Sequence, residues 1–232
     1  MPAYGSARTY QKTNQRRLID AGGRELPGHL DDSARGARRA VVVVHDFVGL
    51  TDRTKSVTAH LADRGFLTFA PDLYRGRVAR SREEAEGLAR TLAWNRVAIE
   101  LGLAIGALAD HVKGGPVGIL GFAMGGAAAL VAAASVAKLT AAVTFYGIPQ
   151  DVTVENPALA IQGHFAARDT KCSPARVEEL DLALRRKQIP HEFHTYATDN
   201  GFCDPSRPEV YSADGAALAW ERTMAFLELR LG

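Results

Sequence analysis

The 232-residue chain is 47% hydrophobic, enough to bury one good core, and it reads as a single domain over residues 1–232. Its 28 basic and 26 acidic side chains leave a net charge of +2 and are mixed along the chain, so no strong field draws it to nucleic acid or an anionic membrane. The N-terminal residues lack the apolar core of a signal peptide, and no stretch is apolar enough to span a bilayer, so a cytoplasmic protein is expected.

Residues 1–39 hold eight Lys/Arg against four Asp/Glu, including Arg16-Arg17 and Arg38-Arg39, a bias that reads as solvation of edge strands. The Gly, Pro and charge content of residues 8–39 fits short antiparallel strands and turns. Residues 40–44 form a β-branched run buried on both faces, and residues 65–70 form a second, with a helix over 55–64 between them. Ser81 and Glu84 make a capping box whose helix is predicted to run to about Val112, thinned or bent at Gly87, Gly102 and Gly106. Further strands are predicted at 116–121, 139–146, 157–163 and 191–196, and helices at 124–136, 174–188 and 213–230, with Ser173-Pro174 as an N-cap and N1 pair. Alternation of this kind makes a mostly parallel sheet covered by helices, with ligands at the carboxyl ends of the strands.

The segment Gly121-Phe122-Ala123-Met124-Gly125-Gly126 joins an apolar strand to an Ala-rich helix, and it carries the glycines of a nucleophile elbow. The residue at its centre is Ala123, which has no hydroxyl, thiol or amine and cannot form a covalent intermediate. In a hydrolase of this architecture the acid and the histidine follow at the ends of later strands. Asp169 stands where the acid belongs, past the strand at 157–163. Asn200 stands where the histidine should precede Gly201-Phe202.

Four segments carry a family resemblance: Val44-His45-Asp46-Phe47-Val48-Gly49-Leu50, Ala70-Pro71-Asp72-Leu73-Tyr74, the elbow, and the tail from Asn200-Gly201-Phe202 through Trp220-Glu221-Arg222-Thr223-Met224-Ala225-Phe226-Leu227. In this order and spacing the chain resembles the dienelactone hydrolase family from about residue 40 onward, which implies an α/β-hydrolase fold. The resemblance implies Cys or Ser where this chain has Ala123, His where it has Asn200, and an acid matched by Asp169. It implies a glutamate where Asp46 stands and arginines for a substrate carboxylate, for which Arg80 and Arg82 are the candidates. The elbow glycines are kept either for close packing of the helix over 124–136 on its strand, or because the amides of Met124 and of the loop near Phe47 still form an oxyanion hole.

His45, His164 and Asp199 also fall near strand ends, as ligand contacts or as structural groups. Cys172 and Cys203 lie on the acid and histidine loops, as relocated nucleophiles or as inert small hydrophobes. They show no CxxC or Cys/His spacing, and neither a metal nor another cofactor is expected. Two losses in one mechanism point to divergence and leave three readings open. The chain binds a small carbonyl- or lactone-type metabolite and promotes a non-covalent cyclisation, isomerisation or elimination, or it hydrolyses esters or lactones with water activated by Asp169 or Asp46. Or it is a non-catalytic binding or partner protein, acting as a monomer or homodimer.

Overall fold

The computed structural model describes residues 18–20, 22–151 and 154–232. The short strands β1 (Leu18–Ile19) and β2 (Glu25–Leu26) pair antiparallel, and β3 (Gly28–Asp31) leads into the main sheet. There follow β4 (Ala40–Val44), α1 (Asp52–Ala62), β5 (Leu67–Pro71), α2 (Arg82–Arg90), α3 (Trp94–His111), β6 (Val117–Phe122) and α4 (Met124–Ser135). The chain closes with β7 (Leu139–Phe145), β8 (Ala160–Ala166), α5 (Pro174–Arg186), β9 (His191–Tyr196) and α6 (Ala213–Leu231). The expected antiparallel N-terminal strands are thus present from Leu18 on; residues 8–17 lie outside the described residues.

The seven-stranded sheet runs β3-β5-β4-β6-β7-β8-β9, with every pair parallel except β3 with β5. This is the α/β-hydrolase fold. Every residue of β4 is buried because both faces are covered, as its unbroken β-branched run requires. Val42 and Val44 face the layer of α3, α4 and α5, through residues such as Leu101, Leu130 and Leu184. Val41 and Val43 face α1 and α6, through Leu61, Trp220 and Leu227. From β4 the chain goes to β5 on one side and returns to β6 on the other. That reversal opens a crevice at the carboxyl ends of β4 and β6, where such sheets bind ligands.

Two expectations are corrected. The helix predicted from Ser81 to about Val112 is two helices, α2 and α3, bent by 87°. The bend falls at residues 91–93, where Ala93 is extended (φ −85°, ψ 112°), and not at the glycines. Half of the capping box is as expected: Ser81 accepts from the Glu84 amide at 3.1 Å, but the Glu84 carboxylate reaches one residue further back, to the Arg80 amide at 2.8 Å. The strand predicted at 157–163 is Ala160–Ala166, so His164 lies inside it rather than beyond its end. Among the described residues no single helix is long and apolar enough to cross a membrane.

Candidate active site

The site starts from backbone strain. Ala123 sits between β6 and α4 at φ 50°, ψ −115°, a conformation that costs a non-glycine residue roughly 1–3 kcal/mol. Its amide donates to the Phe145 carbonyl at 2.9 Å, and its carbonyl accepts from Ala127 at 3.0 Å, so both sides of the turn are pinned. The glycines around it have a packing reason. A Cβ on Gly121 would collide with the Gly125 carbonyl, and one on Gly125 would collide with the carbonyls of Val44 and His45. Helix α4 can therefore lie against β4 and β6 only with glycine at those positions. The turn at Ala123 is itself closely packed, since a Cβ on Gly147 would collide with the Ala123 carbonyl; it sets the residue at the crevice and leaves the Met124 amide as the first of α4, without an intrahelical acceptor.

A cavity of about 530 Å³ opens there, lined by Ala123, Met124, Phe47, Asp169 and Asn200 among others. Three of the residues expected to gather, Ala123, Asp169 and Asn200, do so. Asp169 is buried, and one of its oxygens accepts from the Lys171 and Cys172 amides at 2.7 and 3.0 Å. The other accepts from Asn200 Nδ2 at 2.6 Å. The carboxylate thus holds the asparagine side chain, and three of its roughly four acceptor positions are taken.

Asp46 does not line this cavity, contrary to expectation. Its Oδ1 accepts from the Val48 amide at 2.8 Å, and Oδ2 pairs with Arg53 at 3.1 Å. Arg53 also pairs with Asp204 at 3.3 Å and lies over the Phe122 ring. Both oxygens of Asp46 are thus engaged by groups other than the cavity residues. Neither Arg80 nor the histidines reach the cavity, whereas Arg82 does. His45 accepts at Nε2 from the Leu73 amide (3.2 Å), which leaves Nδ1 to donate to the Asp46 carbonyl (2.7 Å), and burial lowers its pKa. His164 is wholly buried between Tyr196 Oη (2.8 Å), Gln162 Oε1 (2.9 Å) and Thr223 Oγ1 (3.0 Å), and burial holds its pKa well below the usual value. Both histidines are structural. Asp199 is a surface partner of Arg168 at 2.7 Å.

The cysteines are not poised nucleophiles. Burial, then the nearby Asp169 charge, push the Cys172 thiol up to about 11, and its Sγ is 3.3 Å from the Tyr146 carbonyl. Burial raises the Cys203 thiol too. Protonated thiols at neutral pH are poor nucleophiles. Among the described residues no group of three His, Cys, Asp or Glu is gathered as a metal site would need.

Residues 28–231 match the model of the dienelactone hydrolase family. The chain belongs to that family. Carboxymethylenebutenolidase of Rhodococcus opacus is 28% identical over 218 residues, covering 84% of this chain and 83% of that one. Protein usf of Aquifex pyrophilus is 27% identical over 201 residues, covering 81% and 87%. The dienelactone hydrolase-like promiscuous phosphotriesterase from metagenomic libraries superposes with a TM-score of 0.81 at 23% identity, covering 94% of this chain and 98% of that one, a likeness of fold.

In this dienelactone hydrolase-family chain the cavity also gathers residues not picked out from the sequence: Tyr146, Glu86, Arg90, Lys171 and Arg207. Tyr146 was findable as the residue after β7, one more strand end, and it too is strained at φ 42°. Arg90 and Glu86 were hidden by the assumption of one continuous helix, because only the bend at 91–93 lays α2 over the opening. Arg207 follows Gly201-Phe202 by five residues and reaches back, with Nη1 against Gly201.

Proposed function

We propose that this dienelactone hydrolase-family chain has a degenerate triad, Ala123, Asp169 and Asn200, and binds a small carbonyl- or lactone-type metabolite, on which it promotes a non-covalent cyclisation, isomerisation or elimination. The observation that carries this reading is the strained backbone of Ala123, kept where no nucleophile needs it. Such strain persists when the surrounding structure and its use sustain it. Here it leaves the Met124 amide, at the positive end of α4, and the Phe47 amide on the facing loop to receive a carbonyl oxygen as it gains negative charge.

The rim of Arg82, Arg90, Lys171 and Arg207 favours a ligand that also carries an anionic group, since it outweighs the two cavity carboxylates, Glu86 and Asp169. For a step that moves a proton, Glu86 is the available carboxylate: it lines the cavity, and its pair with Arg82 at 3.0 Å is exposed. Hydrolysis through Asp169 or Asp46 finds less support. Three donors occupy Asp169, and Asp46 is held by Arg53 away from the cavity.

Purified protein is to be incubated with a panel of unsaturated lactones and keto acids, with products read by mass spectrometry and binding by thermal shift. A rearranged or eliminated product formed faster than in buffer, and lost in Glu86→Gln with binding retained, supports the reading. Stabilisation without product makes the chain a binding protein. Neither stabilisation nor product across the panel sinks the proposal.

A further inference from the structure

Tyr74 lies at the end of the segment after β5, in the stretch Asp72-Leu73-Tyr74, and its side chain is buried. Its hydroxyl lies 3.3 Å from the Phe47 carbonyl and 3.2 Å from Met124 Sδ. Both are acceptors, so the one phenolic proton is shared between them. Phe47 and Met124 are the two residues whose amides face the proposed oxyanion position. One buried hydroxyl therefore touches both arms of that site, which belong to different strands' loops and are joined by no covalent shortcut.

The surroundings keep the ring in place. Its amide donates to Asp72 Oδ1 at 3.1 Å, and its ring meets His45 at 4.9 Å between centroids. A Cβ on Gly49 would come within 3.3 Å of the ring, so the loop carrying Phe47 is packed directly on it. Two more hydrogen bonds tie the same loop to the segment that bears Tyr74: Leu73 amide to His45 Nε2 at 3.2 Å, and Ala79 amide to the Val48 carbonyl at 2.9 Å. Burial, and then the charge of Asp46, push the phenol up to about 12, so it remains a donor throughout the physiological range.

We propose that Tyr74 is a positioning residue, a brace that sets the separation of the Phe47 and Met124 amides through the carbonyl of one and the thioether of the other. The hydroxyl does not touch the ligand. It acts on the spacing of two donors, and an oxyanion site loses much of its value when a donor moves by a fraction of an ångström. This inference rests on the oxyanion reading of the elbow, and the test separates the two.

The ¹H–¹⁵N shifts of the Phe47 and Met124 amides are to be followed in native protein and in Tyr74→Phe, without ligand and in a titration with methylphosphonate as a tetrahedral oxyanion probe. The brace predicts that both amides move in unliganded Tyr74→Phe, and that the probe's affinity falls about fivefold, as for loss of one hydrogen bond's ordering. Met124→Leu, which removes only the sulfur acceptor, should move the Met124-position amide and leave that of Phe47 near its native shift. Unchanged amide shifts in Tyr74→Phe would overturn the brace whether or not the probe binds. If the native amides ignore the probe, the oxyanion reading fails, while the unliganded comparison still decides the brace.

Discussion

Asp46 and Asp169 stand at the ends of β4 and β8, and both come from positions where the family resemblance places acids of the site. Their fates differ. Asp169 lines the cavity: it accepts from Asn200 Nδ2 at 2.6 Å and anchors its own loop through two amides. Asp46 keeps its loop, through the Val48 amide, but its free oxygen has been captured by Arg53, which pairs with Asp204 as well. Here the carboxylate bound only by neutral donors lines the cavity, and the one that also pairs with a cation does not.

The strongest way to break this contrast is to restore the relay on one side. Ala123→Cys with Asn200→His should hydrolyse p-nitrophenyl acetate about 100-fold or more above the product of the single changes, because a positioned general base is worth at least that. A merely additive gain in a folded protein would mean that Asp169 no longer holds hydrolase geometry. On the other side, Arg53→Met leaves Asp46 and Asp204 without their shared cation. A loss of about 3 kcal/mol in urea unfolding is expected, at the low end for a buried pair because the three side chains keep 12–25% exposure. No loss would show the pair to be ornamental and Asp46 free.

Asp169→Ala removes the acceptor for two amides and Asn200, and about 2 kcal/mol of stability should go with it. If ligand binding survives while stability falls, the residue is an anchor only. The last effect concerns pH, and only its slope per unit is small. His45 and His164 are held neutral by burial, so their folded pKa values lie below the unfolded value near 6.5. Above that pH they contribute no slope; below it the unfolded chain binds protons that the folded one refuses. Stability should fall by up to about 1.4 kcal/mol per pH unit for each histidine from pH 6.5 downward to its folded pKa. A flat profile between pH 6.5 and 5 would contradict their buried, neutral placement.

Much of this frame is legible in the sequence because strands such as Ala40–Val44 and Val117–Phe122 are apolar throughout and the elbow glycines sit at a strand-helix join. The positions of Asp169 and Asn200 followed from strand order. What could not be read were events decided by tertiary contact. Residues 91–93 have no proline or glycine, so nothing local announces the bend between α2 and α3. The bounds of β8, Ala160–Ala166, follow its pairing with β7 and β9, and they place His164 inside the strand against Tyr196, Gln162 and Thr223, two of them on other elements. Arg53 sits in a helix of ordinary polar composition, and its partner Asp204 lies far along the chain, in the segment before α6.

The bend at 91–93 has one more consequence. Arg82, Glu86, Ala89 and Arg90 fall at i, i+4, i+7 and i+8, one stripe of α2, and all four border the cavity, while Ala85 and Leu88 hold the helix to the body of the protein. The sheet, the elbow and the Asp169 loop contribute nothing to that stripe. Its four positions can therefore be exchanged without disturbing the strand core, so the lining of the cavity is open to change by drift on a single nine-residue helix.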